Sequence, residues 1–289
     1  MYKMESYEEQ SFTMYQLSNA DESTWITVCP ERGGIITEFG VEGKQQLYLN
    51  KETLFDRKQN VRGGIPILFP ISGQLKHGQY EWEGKTYEMP NHGLARITPW
   101  EVVESTCDEE QASITIRFAS SIGTKSVFPF DFEVLFTYTV KGNRLLIDQS
   151  YYNASEKAMP IYPGFHPYFY TESKKVTLQT DATKYIDYND GEVRDFTGEI
   201  DMENMIEAVA LLDAEDKQLT AQMDPSKEIK IKTEQEFNYT VLWTEQGKDF
   251  VCIEPWTALT GELNRKQELL MIEPKQTLDT GVIFQVVYK

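Results

Sequence analysis

Two of the three histidines lie in short segments whose composition strand formation does not explain. His92 follows an asparagine in a loop-like segment, and His166 lies between Pro163 and Pro167 among four aromatic residues. Glu254 ends an apolar run and is followed by a proline and a tryptophan. A carboxyl group whose pKa is raised by burial and an imidazole can hold complementary protonation states near pH 7. These side chains could therefore work as a general acid and a general base.

Each of these three residues also has a purely structural interpretation. Residues 91–96 contain a polar pair, a glycine and a cation, which suits either a loop that approaches a ligand or a turn with a surface histidine. His166 could equally be a packing histidine, because its prolines fix the backbone and its aromatic neighbours limit its solvation. Glu254 could equally form a salt bridge at the end of its strand. The residue types alone leave both interpretations open.

A fourth segment, residues 61–73, places an arginine directly before two glycines and an apolar run. Gly63 and Gly64 permit a backbone approach that a side chain would block. The apolar run over residues 65–71 predicts a buried strand. Arg62 could point at an oxygen-rich ligand or form a structural ion pair, and the sequence favours neither.

The elements that must position these residues are predicted to be short β-strands. Alternation of apolar and polar residues predicts strands over residues 113–118, 132–140, 175–180, 229–232 and 281–288, and hairpins with turns at residues 83–85 and 141–143. Only residues 203–212 look helical, and no alternation of strands and helices is visible, which disfavours a parallel sheet. We therefore expect an all-β fold, a large antiparallel β-sandwich that forms one domain over residues 1–289.

Composition limits the cell compartment and the partners of the chain. Its 289 residues include 28 Lys+Arg against 46 Asp+Glu, a formal net charge of -18. Such a charge repels phosphate backbones and anionic lipids, so neither nucleic acid nor a membrane is an expected partner. The N-terminal segment is acidic and no apolar stretch reaches the roughly 18 residues of a membrane span. The three dispersed cysteines argue against a disulfide framework. We expect a cytoplasmic monomer or homodimer.

Four motifs, taken in order, resemble the galactose mutarotase-like family of aldose 1-epimerases, and CIEPW and FPISG look most like its LacX-type bacterial branch. The motifs are RGGIPILFP, NHGLAR, GFHPYF and CIEPW. The resemblance implies a β-sandwich that needs no cofactor and acts on a small-molecule sugar. It implies that His166 is the general acid at the ring oxygen and Glu254 the general base at the anomeric hydroxyl. It also implies that His92 binds substrate, with Arg96 beside it.

Further positions follow from the same resemblance. Arg62 is similar to the arginine that the hexose-6-phosphate branch uses near phosphate. Asp187 is similar to a family aspartate that contacts sugar hydroxyls. Two departures stand out: Leu94 stands where many relatives have phenylalanine, and residues 257–264 read TALTGELN where LacX-type relatives often have a glycine followed by an aspartate.

Interconversion of two anomers requires proton transfer at two oxygens. The anomeric hydroxyl loses its proton while the ring oxygen gains one and the bond between C1 and O5 breaks, so one group cannot serve both. Each positioned partner typically contributes about 10²–10⁴ in rate. The reaction has no net redox change and no leaving group, so it needs no nucleotide, flavin or metal. The two groups must therefore converge on a single pyranose-sized pocket.

Two other classes of function fit the same residues. Two histidines and a glutamate could form a facial triad for a divalent ion, although no HxH spacing concentrates such ligands. A sugar-binding module that lost turnover would keep the sandwich. The substrate is also open: a free hexose is favoured, while Arg62, Arg96 and Lys76 could cradle the phosphate of a hexose 6-phosphate.

Overall fold

A computed structural model describes all 289 residues, which form 26 β-strands and three short α-helices. The first strands are β1 (Lys3–Glu9), β2 (Phe12–Ser18), β3 (Trp25–Cys29), β4 (Ile35–Val41), β5 (Lys44–Gln45), β6 (Ile67–Leu68), β7 (Gln79–Trp82), β8 (Lys85–Glu88) and β9 (Glu101–Cys107). The middle strands are β10 (Ala112–Ala119), β11 (Phe132–Lys141), β12 (Arg144–Asn153), β13 (Met159–Ile161), β14 (Gly164–Phe165), β15 (Tyr168–Tyr170), β16 (Lys175–Gln179) and β17 (Lys184–Asp187). The last strands are β18 (Glu192–Asp195), β19 (Glu199–Asp201), β20 (Val209–Leu211), β21 (Gln218–Asp224), β22 (Lys227–Thr233), β23 (Tyr239–Trp243), β24 (Phe250–Trp256), β25 (Leu270–Ile272) and β26 (Thr277–Tyr288).

The helical segments are short. The α-helices are α1 (Lys51–Phe55), α2 (Ile122–Lys125) and α3 (Glu262–Arg265), and the 3-10 turns are Pro30–Arg32, Lys76–Gly78 and Ala95–Ile97. None of the helices combines the length and the apolar character that a membrane crossing requires.

Two large antiparallel sheets dominate the molecule. A nine-stranded sheet has the order β19-β16-β21-β22-β26-β12-β11-β10-β9. An eight-stranded sheet, here called the site sheet, has the order β18-β17-β20-β23-β24-β14-β6, with β15 also paired to β24. Strands β1 to β5 form a third sheet, and β7 with β8 forms the predicted separate hairpin. The predicted all-β sandwich is confirmed.

The core lies between the nine-stranded sheet and the site sheet. A single cluster of 58 buried residues draws on both of them. The rings of Phe136 in β11 and Phe165 in β14 are 5.7 Å apart, and those of Phe169 in β15 and Phe284 in β26 are 5.9 Å apart. Each such buried side chain contributes roughly 1.5–3 kcal/mol of hydrophobic stabilisation. The sandwich therefore holds the site sheet as a rigid support.

Alternation along β23 and β24 gives the site sheet two different faces. Leu242 and Ile253 are cross-strand partners whose side chains join the main core. Val241 and Glu254 are the neighbouring partners, and alternate side chains point to opposite faces of a sheet. Glu254 therefore lies on the outer face, turned away from the core, where a ligand can reach it.

Most predicted strands are confirmed, and two local predictions need correction. The helix predicted over residues 203–212 is wrong, because Val209–Leu211 forms β20 between β17 and β23. All three residues of β20 are buried, and a short apolar run buried on both faces has no period that separates strand from helix. Within residues 65–71 only Ile67–Leu68 pairs as a strand, since Pro66 and Pro70 have no N–H to donate.

Candidate active site

An open pocket of about 580 Å³ lies on the outer face of the site sheet. Its volume falls within the roughly 300–1,000 Å³ typical of small-molecule sites. The residues that line it come from β23, β24 and the loops around them: Arg62, Gly73, Gln74, Asn91, His92, His166, Tyr188, Glu207, Ala208, Val241, Trp243, Glu254, Trp256 and Thr260. Of the residues predicted from sequence, His92, His166, Glu254 and Arg62 are brought together here, whereas Arg96 and Asp187 do not line the pocket.

Glu254 is positioned by the longest fully buried strand of the site sheet. All seven residues of β24 are buried, and Glu254 itself is only 1% exposed. Its Oε2 accepts a hydrogen bond of 3.1 Å from the indole N–H of Trp256, which lies two residues further on the same face. This bond fixes the carboxyl group and leaves Oε1 free to face His166.

His166 is held by its backbone and by two aromatic rings. Its backbone N–H donates to the Pro66 carbonyl at 3.1 Å. The imidazole stacks on Tyr168, with ring centroids 4.7 Å apart and planes 12° apart, and meets Trp243 edge-on at 5.8 Å. The Nε2 atom lies 3.5 Å from Glu254 Oε1. The two residues are 88 positions apart in the chain and adjacent in space, because β14 and β24 are paired strands.

His92 lies in a loop whose backbone conformation is unusual. Its φ angle is 61°, in the left-handed region that non-glycine residues rarely adopt. The strained turn is stabilised by two bonds with Gly73: the His92 N–H donates to the Gly73 carbonyl at 2.7 Å, and His92 Nδ1 accepts from the Gly73 N–H at 2.9 Å. Because Nδ1 accepts, the neutral ring carries its proton on Nε2. The His92 ring is edge-on to His166 at 5.3 Å and can offer Nε2–H to a ligand.

Burial moves the pKa values of His166 and Glu254 in opposite directions. Burial, with added repulsion from Arg96 and Arg62, lowers the pKa of His166 to about 3. Burial raises the pKa of Glu254 well above its ordinary value, although the Trp256 hydrogen bond and Arg96 act in the opposite direction. Both shifts favour uncharged forms. A neutral imidazole therefore lies next to a carboxyl group that keeps its proton to a higher pH than usual.

Opposite charges flank the mouth of the pocket. The Arg62 guanidinium lies 5.4 Å from the centroid of the Trp243 ring, close enough for a cation–π contact. The Trp243 indole N–H donates to the Ile206 carbonyl at 3.2 Å, which fixes the ring against the neighbouring loop. Glu207 follows directly in that loop, is exposed and lines the pocket. The pocket thus presents a cation, an anion and an aromatic ring to a ligand.

Arg96 lies outside the pocket wall and acts through its charge. It lines a separate small cavity with Arg32, and its Nη2 donates to the Asn91 carbonyl at 2.8 Å. Burial lowers the pKa of Arg96 to about 10. The remaining positive charge lowers the pKa values of His92, His166 and Glu254 alike. Arg96 therefore helps to keep both histidines neutral.

Asp187 also lies outside the pocket, but it is connected to it. Its carboxylate accepts hydrogen bonds from the backbone N–H and the side-chain amide of Asn189, at 2.9 and 2.8 Å, and pairs with Arg194 at 3.2 Å. The side-chain oxygen Oδ1 of Asn189 accepts from the backbone N–H groups of Ile206 and Glu207, both at 2.9 Å. Asp187 therefore supports the loop that carries Glu207.

Comparison with known proteins identifies the family. The family model described as aldose 1-epimerase matches residues 14–278, a range that includes every residue of the pocket. The chain belongs to the aldose 1-epimerase family. The solved structure of the Slr1438 protein from Synechocystis sp. PCC 6803 is 32% identical in sequence, with a TM-score of 0.89 over 99% of this chain and 96% of that one.

More distant members share the fold. A galactose mutarotase-like protein from Clostridium acetobutylicum is 18% identical, with a TM-score of 0.83 over 99% of both chains. A curated Escherichia coli (strain K12) protein named "Putative glucose-6-phosphate 1-epimerase" is 27% identical over 147 residues, which are 50% of this chain and 45% of the relative. The chain spans less than half the length of the curated relatives it matches.

Trp243 and Glu207 are among the residues of this pocket that sequence reasoning missed. Trp243 shares a face with Val241 through the alternation of β23, so its position beside β24 follows once the two strands are paired. Glu207 has no comparable signal, because it lies in a loop within the segment that sequence predicted to be helical. Its place depends on the hydrogen bonds from Asn189.

Proposed function

We propose that the protein is an aldose 1-epimerase that interconverts the α and β anomers of a free hexose, with His166 and Glu254 as its acid–base pair. The observation that carries this proposal is the 3.5 Å separation between His166 Nε2 and Glu254 Oε1 inside the pocket. The ring oxygen and the anomeric oxygen of a hexose are bonded to the same carbon. An acid and a base that serve both oxygens must therefore be neighbours, as these two groups are.

Ring opening moves one proton through the sugar from one member of the pair to the other. Transfer of the Glu254 proton to His166 Nε2, 3.5 Å from Glu254 Oε1, first converts the resting pair into an imidazolium and a carboxylate. The imidazolium then donates to the ring oxygen, the bond between C1 and O5 breaks, and the Glu254 carboxylate accepts the proton of the anomeric hydroxyl. The products are the open-chain aldehyde, neutral His166 and protonated Glu254. These uncharged forms are the ones that burial favours.

Ring closure on the other face of the aldehyde completes the reaction. Rotation about the bond between C1 and C2 presents the opposite carbonyl face to the C5 hydroxyl. Neutral His166 then accepts the hydroxyl proton, and protonated Glu254 donates to the carbonyl oxygen as the new ring bond forms. The Trp256 N–H stabilises the carboxylate that results, through its bond to Oε2. The pair returns to its starting state, so the cycle is complete without a cofactor.

The other residues of the pocket bind and orient the sugar. His92 donates from Nε2 to a sugar oxygen, because its Nδ1 is already bonded to Gly73. Trp243 offers an aromatic face, and Arg62 and Glu207 form hydrogen bonds with hydroxyl groups at the mouth. The positive charge of Arg96 lowers the pKa values of both members of the pair. Asp187 positions Glu207 through Asn189.

A hexose 6-phosphate is the second candidate substrate. Its support is a cavity that adjoins the pocket through Gln74 and Thr260 and contains Lys76, His77 and Arg265. The name of the curated relatives points the same way. We place the free hexose first because Glu207 contributes a negative charge to the pocket itself, where it repels phosphate.

Three further properties belong to this proposal. The enzyme acts in the cytoplasm, and the whole of residues 1–289 works as one domain. A sugar-binding protein without turnover is the remaining alternative within the same fold, and it predicts that Glu254→Gln keeps sugar affinity while the native protein gives no rate enhancement. The oligomeric state of the proposed enzyme, monomer or homodimer, stays a prediction.

Anomer interconversion measured by polarimetry or exchange NMR tests the proposal. We expect acceleration with glucose or galactose, and a smaller effect with glucose 6-phosphate. His166→Asn should remove most of the turnover and leave the fold intact. A native protein that accelerates none of the three sugars contradicts the proposal, and a preference for glucose 6-phosphate by orders of magnitude selects the second candidate.

A further inference from the structure

A thiol lies directly beside the acid–base pair. Cys252 precedes Glu254 by two residues on β24, so the two side chains share the outer face of the strand. One ring nitrogen of His166, Cys252 Sγ and a carboxylate oxygen of Glu254 all lie within 4.8 Å of one another. The mechanism above uses the imidazole and the carboxyl group and gives the thiol no role. The thiol is therefore an unexplained feature of the site.

His166 has a second unexplained feature. It is only 7% exposed, and its Nδ1 is buried without a hydrogen-bond partner. Buried side-chain nitrogens in native proteins nearly always have a partner, and no protein group fills that role here, so this nitrogen is available to bond a ligand. A rotation of the ring can bring either nitrogen to a group bound between His166 and Glu254.

The three ligand types together are those that zinc prefers. Zinc is bound by imidazole nitrogen, thiolate sulfur and carboxylate oxygen at about 2.0–2.3 Å, so the ligand atoms of one ion lie roughly 3–4 Å apart. A spread of up to 4.8 Å becomes compatible with one ion after small side-chain rotations. The pocket supplies the fourth position, because His166 and Glu254 both line it.

Charge balance favours a doubly charged ion at this place. Burial, followed by the charge of Glu254, raises the pKa of the Cys252 thiol well above its ordinary value. A bound divalent ion displaces the thiol proton, and the carboxyl proton where one is present. The product contains a thiolate, a carboxylate, a neutral imidazole and a dication, so its net charge is zero. A desolvated site tolerates a neutral cluster far better than an isolated charge.

We propose that His166, Cys252 and Glu254 form an inhibitory site for a thiophilic divalent cation, with Zn²⁺ or Cd²⁺ as the ion. The inhibition rests on the proposed function, because the ion occupies the acid–base pair and excludes the sugar. The ion and the hexose therefore compete. Arg62 and Arg96 repel any cation nearby, so only an ion with a strong preference for thiolate binds, and Mg²⁺ does not.

Cadmium titration of the full-length protein tests the site without any use of activity. Binding of Cd²⁺ to a thiolate produces an ultraviolet charge-transfer absorption. We expect one equivalent of this absorption in the native protein, lost in Cys252→Ala and in the size-matched Cys252→Ser. Loss of one ligand should lower the affinity for the ion by at least the roughly 10- to 100-fold that is typical when a residue hydrogen-bonded to a metal ligand is substituted. A saturating concentration of hexose should shift the titration to higher Cd²⁺.

The other two cysteines provide matched controls. Cys29 is buried in a separate apolar cluster, and Cys107 is exposed at the end of β9. A protein with Cys29→Ala and Cys107→Ala should keep the absorption of the native protein. Anomer exchange should be inhibited by Cd²⁺ and Zn²⁺ in the native protein and in this control. The Cys252 variants should keep basal exchange and lose the inhibition, and Mg²⁺ should inhibit none of them.

The two proposals fail in different ways. Equal Cd²⁺ absorption in native protein and Cys252→Ser overturns the metal site, whatever the activity. A metal-dependent increase in exchange also overturns it, since the ion would then act as a cofactor. A protein that shows Cys252-dependent binding but no anomer exchange supports the metal site and contradicts the proposed epimerase.

Discussion

The two faces of strand β24 are buried to the same extent, but burial has a different consequence on each face. Val251 and Ile253 are fully buried and belong to the main apolar core. Cys252, Glu254 and Trp256 are at most 5% exposed on the outer face, where the neighbours include histidine and arginine side chains. On the inner face burial removes hydrocarbon from water and stabilises the fold. On the outer face burial removes titratable groups from water and shifts their pKa values.

This difference predicts opposite responses to substitution. Burial of a carboxyl group without a full set of partners costs free energy, and removal of its charge relieves that cost. Removal of core methyl groups loses transfer free energy and leaves a cavity. Variants of the acid–base residue Glu254 on the outer face should therefore change the rate more than the stability, and variants on the inner face should do the reverse. Four experiments test this comparison.

Substitution of Glu254 by glutamine should have the largest effect. The amide has nearly the same shape and can still accept from the Trp256 N–H. It cannot transfer a proton, so we expect anomer exchange to fall by about 10²–10⁴. The free energy of unfolding in urea should stay equal or rise, because a neutral amide needs no desolvation of charge. Near-native exchange, measured by NMR, would remove Glu254 from the mechanism.

Substitution of Ile253 by alanine is the inner-face counterpart. Its side chain is fully buried between the two large sheets, and its loss should lower the free energy of unfolding by about 2–5 kcal/mol. The milder Ile253→Val should cost about 0.5–1.5 kcal/mol. Exchange by the folded fraction should remain within a few-fold of native for both. If Ile253→Val reduced exchange as strongly as Glu254→Gln, the two faces would not be separable.

The strands that pack on the core are the part of the molecule that sequence predicts best. Alternation in residues 132–140 and 281–288 placed strands that the structure confirms as parts of β11 and β26. Period-two burial is a local property, so a local pattern reveals it. The same logic fails at Val209–Leu211, which is buried on both faces and has no alternation to detect.

On the outer face, sequence predicted only the residues that lie within recognisable motifs. His92, His166 and Glu254 lie in segments with glycine, proline and tryptophan at unusual density, and these segments are brought together in the pocket. Their approach depends on contacts between segments up to 162 positions apart, from His92 to Glu254, which no local pattern contains. Asp187 stood in a motif but supports the pocket indirectly, whereas Glu207 lines it from a segment with no motif.

The pH dependence of stability should separate the members of the pair. Burial lowers the pKa of His166 from 6.5 to about 3, so the unfolded chain binds the extra proton between these values. The contribution of His166 to the free energy of unfolding therefore falls as pH drops below 6.5. Burial raises the pKa of Glu254 above 4.5, so the folded state binds the extra proton and stability falls as pH rises above 4.5. The two slopes are opposite in sign, so they offset each other between these ordinary values wherever both groups contribute.

Urea unfolding across this range measures both limbs. Glu254→Gln should remove the loss of stability that begins as pH rises above 4.5, a slope of up to about 1.4 kcal/mol per pH unit. His166→Asn should flatten the acid limb below pH 4.5 by a similar slope, and the part that remains includes His92, whose pKa burial also lowers. Ile253→Val should shift the whole curve without a change of shape. A pH profile that both pair variants leave unchanged would mean that neither group is desolvated as described.

The smallest effect is expected at the mouth of the pocket, where the outer face meets solvent. Glu207 is exposed, so a hydrogen bond to a sugar hydroxyl has to compete with water, and Glu207→Gln should lower kcat/KM for a free hexose by about tenfold, or about 1.4 kcal/mol. The same change removes a negative charge, so relative kcat/KM for glucose 6-phosphate should rise. Glu203→Gln, in the same loop but outside the pocket, is the matched control and should change neither value. If Glu207→Gln lowered kcat/KM equally for the free hexose and for glucose 6-phosphate, the loop would act through the shape of the pocket rather than through charge. Selectivity would then have to come from Arg62.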